Sequence, residues 1–281
     1  MYLDLFAKRL DLSDPTSPGQ LPPISPVEPS RSGGRENPVF NLLDVVLTVV
    51  VAAVALFLCT MVGVMVLYAV RGPHAIDPKN LAGSALLFLP IQVVTYILTV
   101  GFMVFYVWTR YRTGFLEAIR WNMPVGKLAW GAAALGAALG LANAVLSVLL
   151  QRWTPKSLPI EQYLSTPASA YALAAFGILV APVVEELFFR GLLYPALARP
   201  LGVVPAIALT AFGFALIHAP QLAHAWVPLL LLFAVGVVLT TVRAKTKSVA
   251  MCVLIHMAYN TTLFTMLYIG TEGFRHMERA S

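Results

Sequence analysis

Two adjacent carboxylates and an arginine, Glu185, Glu186 and Arg190, stand at the end of a stretch that is otherwise uncharged from Gln162 to Val184. A charged side chain near the centre of a bilayer costs about 2.5–3.5 kcal/mol on insertion scales, so intramembrane acids and bases face a protein interior or a watery cavity. Glu186 and Arg190 are four residues apart, which puts them on one helical face where they can pair. Glu185 is turned about 100° away on a helix of 3.6 residues per turn. It has no partner at helical spacing, and it is the carboxylate left free for chemistry. Taken by themselves, three such charges could also simply lock helices together.

Three further polar residues sit in later apolar runs: His218, then His256 and Asn260. A spacing of four places His256 and Asn260 on one helical face. Counted from a turn near residues 198–202, Glu185 and His218 lie at similar depths of two antiparallel helices, about 20–25 Å from that turn at 1.5 Å per residue. A single intramembrane histidine is usually an interhelical hydrogen-bond partner worth about 0.6 kcal/mol. One unpaired carboxylate, two imidazoles and an amide together meet the needs of water activation: a base, a group that positions the water, and donors for an oxyanion.

The elements that must position these residues are membrane helices. Of 281 residues, 59% are hydrophobic and 11% are charged, against about 25% charged in soluble domains. The composition specifies an all-α polytopic membrane protein, a bundle of seven or eight transmembrane helices. Apolar runs cover residues 41–70, 81–109, 128–151, 168 to the Glu-Glu-Arg cluster, 201–218, 226–242 and 248–269. A break between Pro195 and Pro205 would make eight. Pro90 is expected to kink the second run. Gly131, Gly136 and Gly140 in the third are expected to let a neighbouring helix approach closely. Gln92, Asn143 and Tyr259 are read as interhelical hydrogen-bond partners, Cys59 and Cys252 as packing residues, and His224 and Trp226 as interfacial. His74 and His276 are expected in a loop and in the tail.

The net charge of +6 does not indicate a nucleic-acid binder, because the basic residues fall between apolar runs. Arg110, Arg112, Arg120 and Lys127 cluster after the second run, and Arg243, Lys245 and Lys247 after the sixth. The positive-inside rule makes both connections cytoplasmic, and with seven spans it puts the N-terminus inside and the C-terminus outside. Residues 1–40 hold seven prolines among Ser and Gly and read as a flexible tail. No cleavable signal peptide is expected. The organisation is therefore a tail over 1–40, N-terminal transmembrane helices over 41–159, a catalytic core over 160–270 and a C-terminal tail over 271–281.

The motifs Glu185-Glu186-x-x-x-Arg190, Phe214-x-x-x-His218 and His256-x-x-x-Asn260, in this order in successive apolar helices, resemble those of the CAAX-protease and bacteriocin-processing (CPBP) family of intramembrane proteases. The resemblance covers about residues 160–265. It implies a glutamate-dependent intramembrane endopeptidase, a hydrolase with no cofactor. Glu185 would be the general base on water, His218 would hold that water, His256 and Asn260 would form the oxyanion hole, and Glu186 and Arg190 would brace the site. The implied partners are membrane lipid and a peptide or protein substrate, with or without a lipid modification, and no nucleic acid. The implied location is a cell (plasma) membrane.

Three other readings remain. A zinc-dependent protease would use Glu185, His218 and His256 as ligands, although no His-Glu-x-x-His pair occurs and Asn260 suits an oxyanion better than zinc. A non-proteolytic peptide-binding or immunity protein would keep the pocket without the reaction. A proton-coupled transporter would use the two acids as carriers, but the internal repeats that such transporters often show are not evident.

Overall fold

The structure is a computed structural model that describes residues 40–72, 85–164 and 166–276. The proline-rich tail and His74 lie outside these residues. Among them there are helices and turns and no strand. Six helices are long and apolar enough to cross a membrane: α1 (Leu42–Arg71), α2 (Ala85–Tyr111), α3 (Lys127–Leu149), α4 (Pro167–Leu201), α6 (Trp226–Thr246) and α7 (Val249–Gly270). A seventh apolar helix, α5 (Val203–Ile217), has 15 residues and spans about 22 Å, short of a hydrocarbon core of about 30 Å. The chain turns between α4 and α5 at Gly202, at φ 83°, and that is the one break in the Pro195–Pro205 region. The protein is an integral membrane bundle.

Two small-residue contacts set the core. Gly136 and Gly140 of α3 face α7: a Cβ on Gly136 would overlap the Ile255 carbonyl, and one on Gly140 would lie 2.8 Å from Thr262 Cβ. The paired numbers rise together along both helices, so α3 and α7 run parallel. Gly131, by contrast, faces open space, because the close approach begins a turn later. At Gly236 of α6 a Cβ would lie 3.0 Å from Ala211 Cα, and this brings α6 against α5.

Helix α4 is not uniform. It winds as a π-helix over Phe176–Val180 and again over Leu187–Leu193, with an α-helical piece, Ala181–Glu186, between them. In the π register an amide reaches back five residues: Ala181 N–H donates to Phe176 O, and Tyr194 N–H to Phe189 O. The next residues, Pro182 and Pro195, have no N–H to give. Gly177 O and Arg190 O therefore lose their π partners, and side chains from other helices take their place. Asn260 Nδ2 donates to Gly177 O at 2.6 Å, and Arg243 Nε to Arg190 O at 3.0 Å.

That second bond corrects the reading of Arg243 as a loop residue. Helix α6 continues to Thr246, and Arg243 is 1% exposed in the core. Lys245 and Lys247 remain exposed.

Candidate active site

The free and the paired carboxylate separate as their spacing requires. Glu186 is fully buried, and its Oε1 accepts from Arg190 Nη1 at 2.8 Å and meets His256 Nδ1 at 2.9 Å. Arg190, also fully buried, donates from Nη2 to Gly236 O at 3.1 Å and from Nε to Thr240 Oγ1 at 3.3 Å, and its guanidinium lies 4.8 Å from the centre of the Phe214 ring. Each guanidinium nitrogen of the arginine thus has an acceptor on α4 or α6, and such bonds offset part of the cost of burying the pair. Thr240 and Gly236 were not evident in the sequence as parts of this site. Gly236 is recognisable only once α5 and α6 are seen to touch.

Glu185 points the other way. Its carboxylate oxygens lie 4.0 Å from His218 Nε2 and 3.9 Å from His256 Nε2, too long for direct hydrogen bonds. His218 caps the C-terminus of α5, and its Nδ1 lies 2.8 Å from Phe214 O. A carbonyl can only accept, so Nδ1 carries the hydrogen, and in the neutral ring Nε2 presents a lone pair towards Glu185. The last turn of α5 therefore fixes the tautomer through the helix backbone itself. Asn260 stands one turn beyond His256 and is tied to Gly177 O, so α7 brings both residues to the same face of α4.

Glu185, His218, His256 and Asn260 line one cavity of about 350 Å³. Its remaining wall includes Gln92 and Tyr96 of α2, the latter stacked on Phe176 with ring centres 5.6 Å apart. Nothing in the spacing of α2 marks Tyr96 as part of the site, because its helix is distant in sequence. Of the hydrogen-bonding residues expected between helices, Asn143 donates to Tyr259 Oη at 2.6 Å, and Gln92 faces the cavity instead. Cys252 is buried between α6 and α7, with Sγ 3.4 Å from Leu239 O. His276 lies 3.7 Å from Glu272, away from the site.

The alternative zinc set, Glu185, His218 and His256, is drawn from the same three residues. Among the described residues no group of three His, Cys, Asp or Glu side chains has the arrangement of a metal site. One of the two histidines of that set also has its Nδ1 turned to a carboxylate, Glu186, as metal-bound histidines often do.

Comparison with known proteins bears on the same segment. No curated protein and no solved structure gives a significant match to the chain. A family model does match, over residues 167–262, and that family is described as type II CAAX prenyl endopeptidase Rce1-like. The matched segment begins at the first residue of α4, ends within α7 and contains every residue of the three motifs. That segment, about a third of the chain, is similar to this family.

Proposed function

We propose that the protein is an intramembrane endopeptidase in which Glu185 and His218 activate a water molecule. The observation that carries this reading is the convergence of the Glu185 carboxylate with Nε2 of both histidines, at 4.0 and 3.9 Å, in a cavity within a membrane bundle. A water molecule bridges groups held at such separations. It donates one hydrogen to Glu185 and the other to the Nε2 lone pair of His218. Glu185 takes the proton as the water oxygen attacks the peptide carbonyl carbon. The carbonyl oxygen becomes the oxyanion, and Glu185 returns the proton to the departing amine as the C–N bond breaks.

His256 and the free hydrogen of Asn260 Nδ2 are the donors for that oxyanion. For His256 to donate from Nε2, one further proton must sit between its Nδ1 and Glu186 Oε1. An imidazolium beside a carboxylate and a neutral imidazole beside a carboxylic acid describe the same proton count. Glu186, fixed by Arg190, thus serves as the positioning residue for His256. Preorganised donors of this kind are worth about 10²–10³-fold in rate each.

The test compares peptide termini in membranes holding wild type or Glu185→Gln at equal levels. New termini that appear only with wild type are the expected result. A Glu185→Gln protein as active as wild type overturns the reading, and activity that needs stoichiometric zinc moves it to the metal mechanism. Equal termini from both proteins, together with an unchanged cellular phenotype for the variant, move it to a peptide-binding or immunity role. The substrate of this reading is a peptide or protein segment at the membrane.

A further inference from the structure

Past its first turn, helix α3 is apolar except along one line. Asn143 and Ser147 are four residues apart, and Gln151 follows at the same interval just past the helix end, which puts all three on one side. That side faces a second cavity, of about 990 Å³, between α3, α6 and the α3–α4 connection. Its outer part carries Arg152, Lys156 and Glu161, and both cations are exposed. Beside them Trp153 and Trp226 have ring centres 6.4 Å apart, and such rings suit a membrane interface. From Gln151 to Asn143 the cavity follows the chain for about 12 Å at 1.5 Å per residue, into a hydrocarbon core of about 30 Å.

At the inner end stands a polar pair. Asn143 Nδ2 donates to Tyr259 Oη, and the buried Oδ1 of the same amide has no partner among the described residues. An unsatisfied group of this kind costs about 1–3 kcal/mol, and ordered water meets such groups in protein interiors. An acyl chain has nothing to offer Asn143, Ser147 or Gln151. Polar side chains of a membrane helix turn instead to a protein interior or a water-filled space. The second cavity also adjoins the first: Leu222, Leu232, Tyr259 and Leu263 line both. The Tyr259 ring centre lies 6.3 Å from that of His256, so one layer of side chains separates the two spaces.

From this arrangement we infer that the second cavity holds water and supplies the molecule that Glu185 activates, apart from the path of the substrate. The supply role rests on the proteolytic reading. Hydrolysis consumes one water per bond, its oxygen ending in the new carboxyl group and its hydrogens shared between that group and the amine. A peptide segment seated against Glu185 and the histidines takes up the cavity of about 350 Å³ that they line. A separate source behind Tyr259 keeps the site wet while the segment is bound.

Whether the cavity is wet is tested without reference to activity. In the full chain with Cys59→Ala, and with Cys252 kept because it is buried, single cysteines are placed at Ser147 and Leu231 on the cavity wall and at Val145. Val145 is two residues from Ser147, about 200° around the helix, and is 57% exposed on the outer face. Protein in phosphatidylcholine vesicles is treated with a charged methanethiosulfonate, which reacts with thiolates in water. Ser147→Cys and Leu231→Cys are expected to react about 100-fold faster than Val145→Cys, because a charge in hydrocarbon is disfavoured by about that factor. Equal rates at all three positions overturn the inference, as does slow reaction at both cavity positions, which marks a lipid-filled groove.

The supply role is tested on a synthetic peptide spanning a Glu185-dependent terminus mapped in membranes. Ser147→Trp fills the cavity and is expected to lower kcat about tenfold with KM unchanged, while Val145→Trp changes neither. Leu231→Trp fills the same space from α6 should Ser147→Trp not fold. An equal kcat for the filled and control proteins overturns the supply role even where the labelling holds. If no Glu185-dependent terminus appears, the proteolytic reading fails and the supply role with it, while the labelling still decides what the cavity holds.

Discussion

Glu185 and Glu186 are neighbours in the chain with opposite duties, and the difference comes from what each side chain can reach. Glu186 shares a face with Arg190 and is held by it at 2.8 Å, with no exposure to solvent for either. Removing one member of a buried pair leaves the other charge without a counterion, which costs about 3–5 kcal/mol. Arg190→Ala is therefore expected to lower the unfolding midpoint of the purified protein sharply and to disturb His256 through Glu186. Arg190→Lys, which keeps the charge and loses the contacts to Thr240 and Gly236, is expected to recover part of the stability. Thermal unfolding in detergent measures both, and an Arg190→Ala protein as stable as wild type contradicts the account of this pair. The pairing and the free carboxylate were legible from spacing alone, because an i, i+4 relation needs no tertiary information. The Nδ1–H of His218 directed at Phe214 O was not, since it depends on where helix α5 ends.

At the scale of the element, the unusual part is α4, whose two π segments flank Glu185 and Glu186. Each is followed by a proline that cannot fill the register, and each freed carbonyl recruits a side chain from another helix: Asn260 to Gly177, Arg243 to Arg190. The prolines were visible in the sequence, but the register that gives them meaning was not, because π winding has no periodic apolar signature. The same omission hid Arg243, which counts as a loop charge until its helix is seen to run on to Thr246. This arrangement gives Pro182 a functional part although its side chain has no reactive group. Pro182→Ala restores an N–H that competes for Gly177 O and releases Asn260. The expected result is a protein as stable as wild type or more so, cleaving more slowly, because a misplacement of about 1 Å can cost up to about 100-fold. Unfolding midpoint and cleavage rate measured together separate this outcome from simple damage to the helix, which would lower both.

Across the whole molecule, the fold class and the order of the apolar helices were readable because twenty or so uncharged residues in a row have few alternatives to a span. The way the N-terminal pair joins the rest was not readable, because it depends on one acid. Asp44 appears in the sequence only as a charge near the start of α1, yet it is fully buried. Its carboxylate accepts from Asn41 N–H and Tyr106 Oη, both at 2.8 Å, and from Tyr111 Oη, and lies 3.3 Å from Arg110 Nε. These bonds cap α1 and fasten it to the last turn of α2, while most of α1 turns Val, Leu, Met and Phe side chains outward to lipid. Helix α2 in turn carries Gln92 and Tyr96 to the cavity wall. Asp44→Ala removes the shared acceptor and leaves two half-buried tyrosine hydroxyls to find others, at about 1–3 kcal/mol for a group left unsatisfied. The half-exposed Arg110 can return to water, so its share of the loss is small. None of these side chains lines the cavity at Glu185, so the chemistry proposed for Glu185 is not touched directly by the change. A lower unfolding midpoint with an unchanged cleavage rate per folded molecule is the expected result. A rate that falls in proportion to the lost stability would instead show that α1 and α2 hold the cavity open.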